Sequence, residues 1–254
     1  MHRTTRQNFW LAIFLEVLVL ALLFYVIPPV ENLITRNDTG QFFVQDLTLL
    51  IIFVAINLIW IKQPIHFSLH TSIGSALLLA WPMYLILLSA VIQLANGRAN
   101  NLIKASVVGI SAGVFEEYLF RGLILGISLY VFTKYKTHSQ IWSAVILSSI
   151  LFGITHGINA FSQPWDQTAL QIISTACFGI FLAALYLRSG SLILPMLTHG
   201  LWDFNSTLAS TSVFKESAVT GQEILIQGIL GLFFILLAIF YLRKKRTDSL
   251  KINF

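Results

Sequence analysis

Charge is scarce in this sequence. Only 11% of its 254 residues are Asp, Glu, Lys or Arg, roughly half the share of a soluble domain. Hydrophobic residues make up 56%, and mean hydropathy is +0.79. A water-soluble fold of this length has no core large enough to hide that much apolar surface, so the composition belongs to the membrane class. Cysteine is nearly absent as well. The single Cys177 excludes an internal disulfide and any multi-cysteine metal site, and its apolar setting reads as a small buried hydrophobe. Also missing are a soluble domain between the apolar runs, a low-complexity tract and an internal repeat. The net charge of +5 does not indicate nucleic acid, because the basic residues form no stripe on a soluble module. Four of them follow an apolar run as Arg243-Lys244-Lys245-Arg246, the pattern of a cytoplasmic stop-anchor beside anionic headgroups.

What is present is a series of apolar runs near 9–28, 46–62, 72–95, 103–130, 140–158, 168–187, 191–208 and 222–242. A helix needs about 20 residues to cross the hydrocarbon core. The expectation is therefore an all-α, polytopic transmembrane bundle of about eight spans, with 1–254 as a single integral membrane domain. The first run ends in Pro28-Pro29 without a small-residue cleavage site, so it reads as an uncleaved span rather than a signal peptide. With an even number of spans, one face carries Arg3, Arg6, Lys62, Lys134, Lys136, Arg188 and the five basic residues after Leu242. The other face carries Arg36, Arg98, Lys104 and Lys215. This bias places both termini in the cytoplasm of a multi-pass cell-membrane protein.

The informative residues are the ionisable ones inside the runs, since a charge at the bilayer centre costs roughly 2.5–3.5 kcal/mol on insertion scales. They are Glu16, Glu116, Glu117, Arg121, His156, His199 and Asp203; the remaining histidines (His2, His66, His70, His138) fall in loops or at the N-terminus. Glu117 and Arg121 are four apart, share a helix face and stand in the favourable acid-before-base order. This reads as a structural ion pair for Arg121. One arginine cannot neutralise two acids, so Glu116, turned about 100° away, needs another partner. His199 and Asp203 are also four apart and face the same way, so the carboxylate can fix the imidazole's orientation and tautomer. His156 alone is an ordinary hydrogen-bonding group. Together these groups can activate a water by acid–base chemistry. Glu116, His156 and His199 could alternatively hold a catalytic zinc with one open position, although no HExxH pair shares a helix. The spacings Gly109/Gly113, Gly122/Gly126 and Gly153/Gly157 flank these positions and predict close helix packing around them.

Glu116-Glu117-x-x-x-Arg121, Phe152-x-x-x-His156 and His199-x-x-x-Asp203, in that order on separate apolar runs, resemble the three motifs of the CAAX protease and bacteriocin-processing (CPBP, or Abi) family, which includes the type II CAAX prenyl endopeptidases. The resemblance covers about 100–208, a motif-bearing catalytic core. It implies a membrane protease, a hydrolase, with Glu116 and His156 holding or activating water. It also implies that Glu117 assists or pairs with Arg121, while His199 and Asp203 stabilise the oxyanion or orient water. An ionised Asp203 cannot donate to an oxyanion as Asn would, which leaves it the orienting role unless it is protonated. The resemblance does not choose between a metalloendopeptidase using Zn2+ and a metal-free glutamate mechanism. The implied partner is a peptide or protein at the lipid bilayer, with no nucleic acid. Two other readings compete. One is a non-catalytic membrane protein of bacteriocin-immunity or sensor-scaffold type. The other is an ion-coupled transporter, against which stands the missing repeat between the two halves.

Overall fold

The computed structural model describes residues 3–98, 101–210 and 217–247; His2, Lys215 and Lys251 lie outside them. Every regular element among the described residues is helical. α1 (Thr5–Tyr25) starts in a capping box between Thr4 and Gln7, and α2 (Ile27–Ile34) follows a bend with prolines in its first turn. α3 (Asp38–Ile56) is capped by Asn37 and ends in a π-helical turn, Asn57–Ile61. α4 (Ile73–Leu79) and α5 (Trp81–Ala95) meet at 63°. Pro82, in the first turn of α5, cannot donate the hydrogen bond that would continue α4. α6 (Leu102–Glu117) runs through a π-helical stretch, Tyr118–Leu125, into α7 (Gly126–Val131). α8 (Thr137–Thr155) ends in a 3-10 turn, His156–Phe161. The chain closes with α9 (Trp165–Ser189), α10 (Ile193–Ala209), α11 (Gly221–Tyr241) and the short α12 (Lys244–Thr247).

The chain is an all-α, multi-pass membrane bundle. Five helices are long and apolar enough to cross a membrane, or six if α4 and α5 form one span, against about eight expected. The difference has two sources. The run 103–130 carries Lys104, Glu116, Glu117 and Arg121 and is interrupted by the π-helical stretch. The run 191–208 yields α10, a helix of only 17 residues.

Contacts between element ends define two faces. On one, Phe24 meets Phe161, Gln93 bonds to Asn205, Arg98 to the Ala209 carbonyl, and Asp166 accepts from the Val219 amide. On the other, Arg3 bonds to the Ile61 carbonyl, Tyr241 to the Leu79 carbonyl, and His138 to Thr247. Between the faces lie two apolar cores, one built largely by α1, α3, α6 and the π-helical stretch, the other by α8, α9, α10 and α11. On α11 the apolar side chains of Ile224, Leu225, Ile229, Leu232 and Leu236 are exposed on the outside of the bundle, as lipid contact requires.

α6 packs most extensively against α10, backbone against backbone. A Cβ at Gly109 would overlap the Gly200 carbonyl oxygen, and one at Gly113 would lie 2.7 Å from the Met196 carbonyl oxygen. Gly122 and Gly126 instead admit Ile65 and Gln63 from the loop after α3, and Gly153 sits against the Ile172 carbonyl of α9. Gly113→Ala is expected to lower stability by about 1–3 kcal/mol through overpacking. Gly228→Ala, with open space around its Cβ, should be neutral or slightly stabilising. Thermal unfolding in detergent checks the pair: equal midpoints would contradict the close approach.

Candidate active site

The site forms where the two cores meet. At its centre is Glu117, fully buried on the last turn of α6. Its Oε1 accepts from Arg121 Nη1 at 2.8 Å and lies 2.8 Å from His199 Nδ1 on α10. The i,i+4 pair with Arg121 is the one the spacing predicts. The bond to His199 crosses from helix to helix, and the glycine contact between α6 and α10 lets the two backbones come close enough for it. Arg121 is itself 1% exposed, and its guanidinium lies 4.2 Å from the centre of the Phe152 ring. Because arginine is always charged, Glu117 opposite it is its counter-ion. An anionic Glu117 is an acceptor only, so His199 Nδ1 carries the proton in that bond.

His199 Nε2 therefore points the other way, and two more carboxylates meet it: Asp203 Oδ2 at 3.4 Å and Glu116 Oε2 at 3.7 Å. The His199–Asp203 approach is the predicted i,i+4 one. The imidazole ring is held edge-on between Phe152 and Phe178, each with its centroid 5.6 Å away. One buried imidazole is thus gripped by three acids and two aromatic rings.

His156 caps the end of α8. Its Nδ1 is 2.9 Å from the Phe152 carbonyl. A carbonyl can only accept, so Nδ1 bears the proton and Nε2 is the lone-pair nitrogen of the neutral ring. His156 lines a cavity of about 250 Å³ together with His199, Asp203, Phe178 and Trp202. Glu116 and His156, expected to hold one water between them, make no contact within ion-pair distance among the described residues.

The donor set does not fit a metal. Among the described residues no three His, Cys, Asp or Glu side chains gather so as to hold an ion. Of the three candidate ligands, His199 Nε2 is turned toward carboxylates, and the His156 ring packs edge-on to Phe152 with centroids 5.1 Å apart.

Two acids join the site that the sequence reading left out. Asp46, buried on α3 and bonded by Gln45, lies within electrostatic reach of Asp203, His199 and Glu116. It stands at the polar edge of its apolar run, where it passes for a helix-start residue. Glu16, the lone acid of α1, accepts a hydrogen bond from Thr155 Oγ1 at 2.7 Å. It thereby fastens the residue next to His156 and acts through the position of α8 rather than inside the cavity.

Residues 98–205 match the family model described as type II CAAX prenyl endopeptidase Rce1-like. The matched segment starts just before α6 and ends in α10, so it carries Glu116, Glu117, Arg121, His156, His199 and Asp203. No curated protein and no solved structure matches the chain. Over this segment, somewhat less than half of its length, the chain is similar to the CAAX-type membrane proteases.

Proposed function

We propose that this protein is an intramembrane endopeptidase that hydrolyses a peptide bond of a membrane-associated substrate with a water activated by Glu116 and His156. One observation carries the reading: the His199–Asp203 pair, fixed from behind by Glu117 and Arg121 and approached by Glu116, faces a cavity that His156 also lines. A purely structural ion pair would need Glu117 and Arg121 alone. It gives no reason for Asp203 and a second histidine to border one cavity, or for Glu116 to reach His199 Nε2 beside it.

In this reading the substrate carbonyl sits against His199, and water enters between Glu116 and the lone-pair nitrogen of His156. Glu116 takes one water proton as the oxygen attacks the carbonyl carbon. His199, protonated on both nitrogens among its three carboxylates and held through Nδ1 by Glu117, donates from Nε2 to the developing oxyanion. Asp203 orients that ring and supports its positive charge. Collapse of the tetrahedral intermediate breaks the C–N bond, and the proton on Glu116 passes to the leaving amine. No step calls for a metal. The membrane is taken to be the cell membrane, with both termini cytoplasmic.

Glu116→Ala and His156→Ala should each lower kcat by about 10²–10⁴-fold while leaving the protein folded. Cleavage of a mixed-sequence peptide library in proteoliposomes measures this, and wild-type rates in both variants would remove the mechanism. Glu117→Gln should behave differently, costing about 3–5 kcal/mol of stability because it strips a buried cation of its partner. Thermal unfolding separates this loss from the purely kinetic one. Exhaustive chelation should leave turnover unchanged; activity lost to the chelator and restored by zinc would show that the site rearranges around an ion.

A further inference from the structure

Charge is sorted between the two faces of the bundle. The face with Arg3, Lys62 and the Arg243–Arg246 cluster holds ten cations and no acid among the described residues. The surface acids Glu31, Asp38, Asp166 and Glu223 all lie at helix ends of the opposite face. The bias between the faces makes the basic one cytoplasmic.

The cavity belongs to the acidic face. Its walls include Gln163 and Gln167 at the start of α9, Ser206 near the end of α10 and Gln227 near the start of α11. From there it descends to His199 and Phe178 in mid-bundle. On the basic face the route is shut. The loop between α3 and α4 is bound to the α9–α10 turn by His70 N to Ser189 O, Leu192 N to His66 O, and Ser191 Oγ to Phe67 O. Gly190, at φ +75°, receives the His70 ring where any Cβ would stand, and Gln63 fills the space beside Gly126. Tyr186, Leu187 and Leu192 behind this loop are buried.

The wall chemistry is that of carboxamides. Gln171 Oε1 accepts from both Asn159 Nδ2 at 2.9 Å and Gln163 Nε2 at 2.8 Å. Gln163 Nε2 also reaches Thr168 Oγ1. Among the described residues this network leaves the amide donors of Gln171 and the amide oxygen of Gln163 for an entering group, one donor edge beside one acceptor edge. A peptide backbone presents the complementary pair at every residue. An isoprenoid chain presents neither, and would bury these amides without partners.

Taking the site as proteolytic, we infer that it is loaded from the extracytoplasmic face, and that its substrate is an unmodified, extended polypeptide segment whose backbone is read by the glutamine wall. The test has two arms. In a Cys177→Ala background, Ser206→Cys and Lys134→Cys are treated in intact cells with a membrane-impermeant maleimide. Ser206→Cys should label at once, and Lys134→Cys only after permeabilisation; the reverse overturns the loading side. In proteoliposomes, an unmodified mixed-sequence peptide library is compared with a farnesylated C-terminal peptide. The unmodified library should be preferred, and Gln171→Leu with Gln227→Leu should raise its KM roughly tenfold, with the loss residing in KM rather than kcat. Preference for the farnesylated peptide, or an unmoved KM, overturns the substrate class. Cleavage of neither peptide, or full cleavage by Glu116→Ala, overturns the proteolytic reading instead, and the labelling result still decides the side.

Discussion

One carboxylate oxygen organises this protein. Glu117 Oε1 serves Arg121 from its own helix and His199 from another, both at 2.8 Å. In a medium without water an unpaired Arg121 or a misdirected imidazole would be costly, so the three groups must be present together. The rest of the architecture follows from that requirement. α6 and α10 must approach until their backbones touch, which only Gly109, Gly113 and Gly200 allow. Aromatic rings must then close the remaining volume, and Phe152 and Phe178 do so on either side of His199. With Nδ1 committed to Glu117, Nε2 is the atom left for the carboxylates and the cavity.

Much of this was legible in the residues. The membrane class followed from the shortage of charge. Both i,i+4 pairs, Glu117 with Arg121 and His199 with Asp203, were written in the spacing, because helix periodicity alone puts such residues on one face. The bond that joins the pairs was not, since it spans 82 positions and depends on how two helices dock. Nor did the π-helical stretch have a signal, because Tyr118–Leu125 is as apolar and helix-compatible as its flanks. Asp46 was missed for a different reason. At the edge of an apolar run it looks like a cap, and only the packing of α3 on α6 turns it inward. The zinc triad was suggested by residue types alone; among the described residues no three such side chains gather so as to hold an ion.

The sorting of charge and the shape of the cavity are separate facts with one geometry. Cations collect where the helices α1, α8 and α12 meet, and the cavity is lined by residues near the opposite helix ends. The loop after α3 connects the two. By lying under the α9–α10 turn, it blocks the basic end and leaves the acidic end as the open one. Glu16 serves the same division from the first helix, since its bond to Thr155 fixes the end of α8 at the point where His156 turns toward the cavity.

The long reach of Glu117 also bears on how the chain is made. A ribosome delivers α6 well before α10, so Glu117 and Arg121 must enter the bilayer with only each other for company, while Glu116 has no counter-ion yet. His199 arrives after two further helices have been synthesised. The segment from α6 to α7 is thus a poor candidate for independent insertion, and its final seat is settled only when α10 slides alongside. The bond between Glu117 and His199 thus cannot form until α10 is in place, so the residues of the candidate site tie the completion of the bundle to one of its last helices.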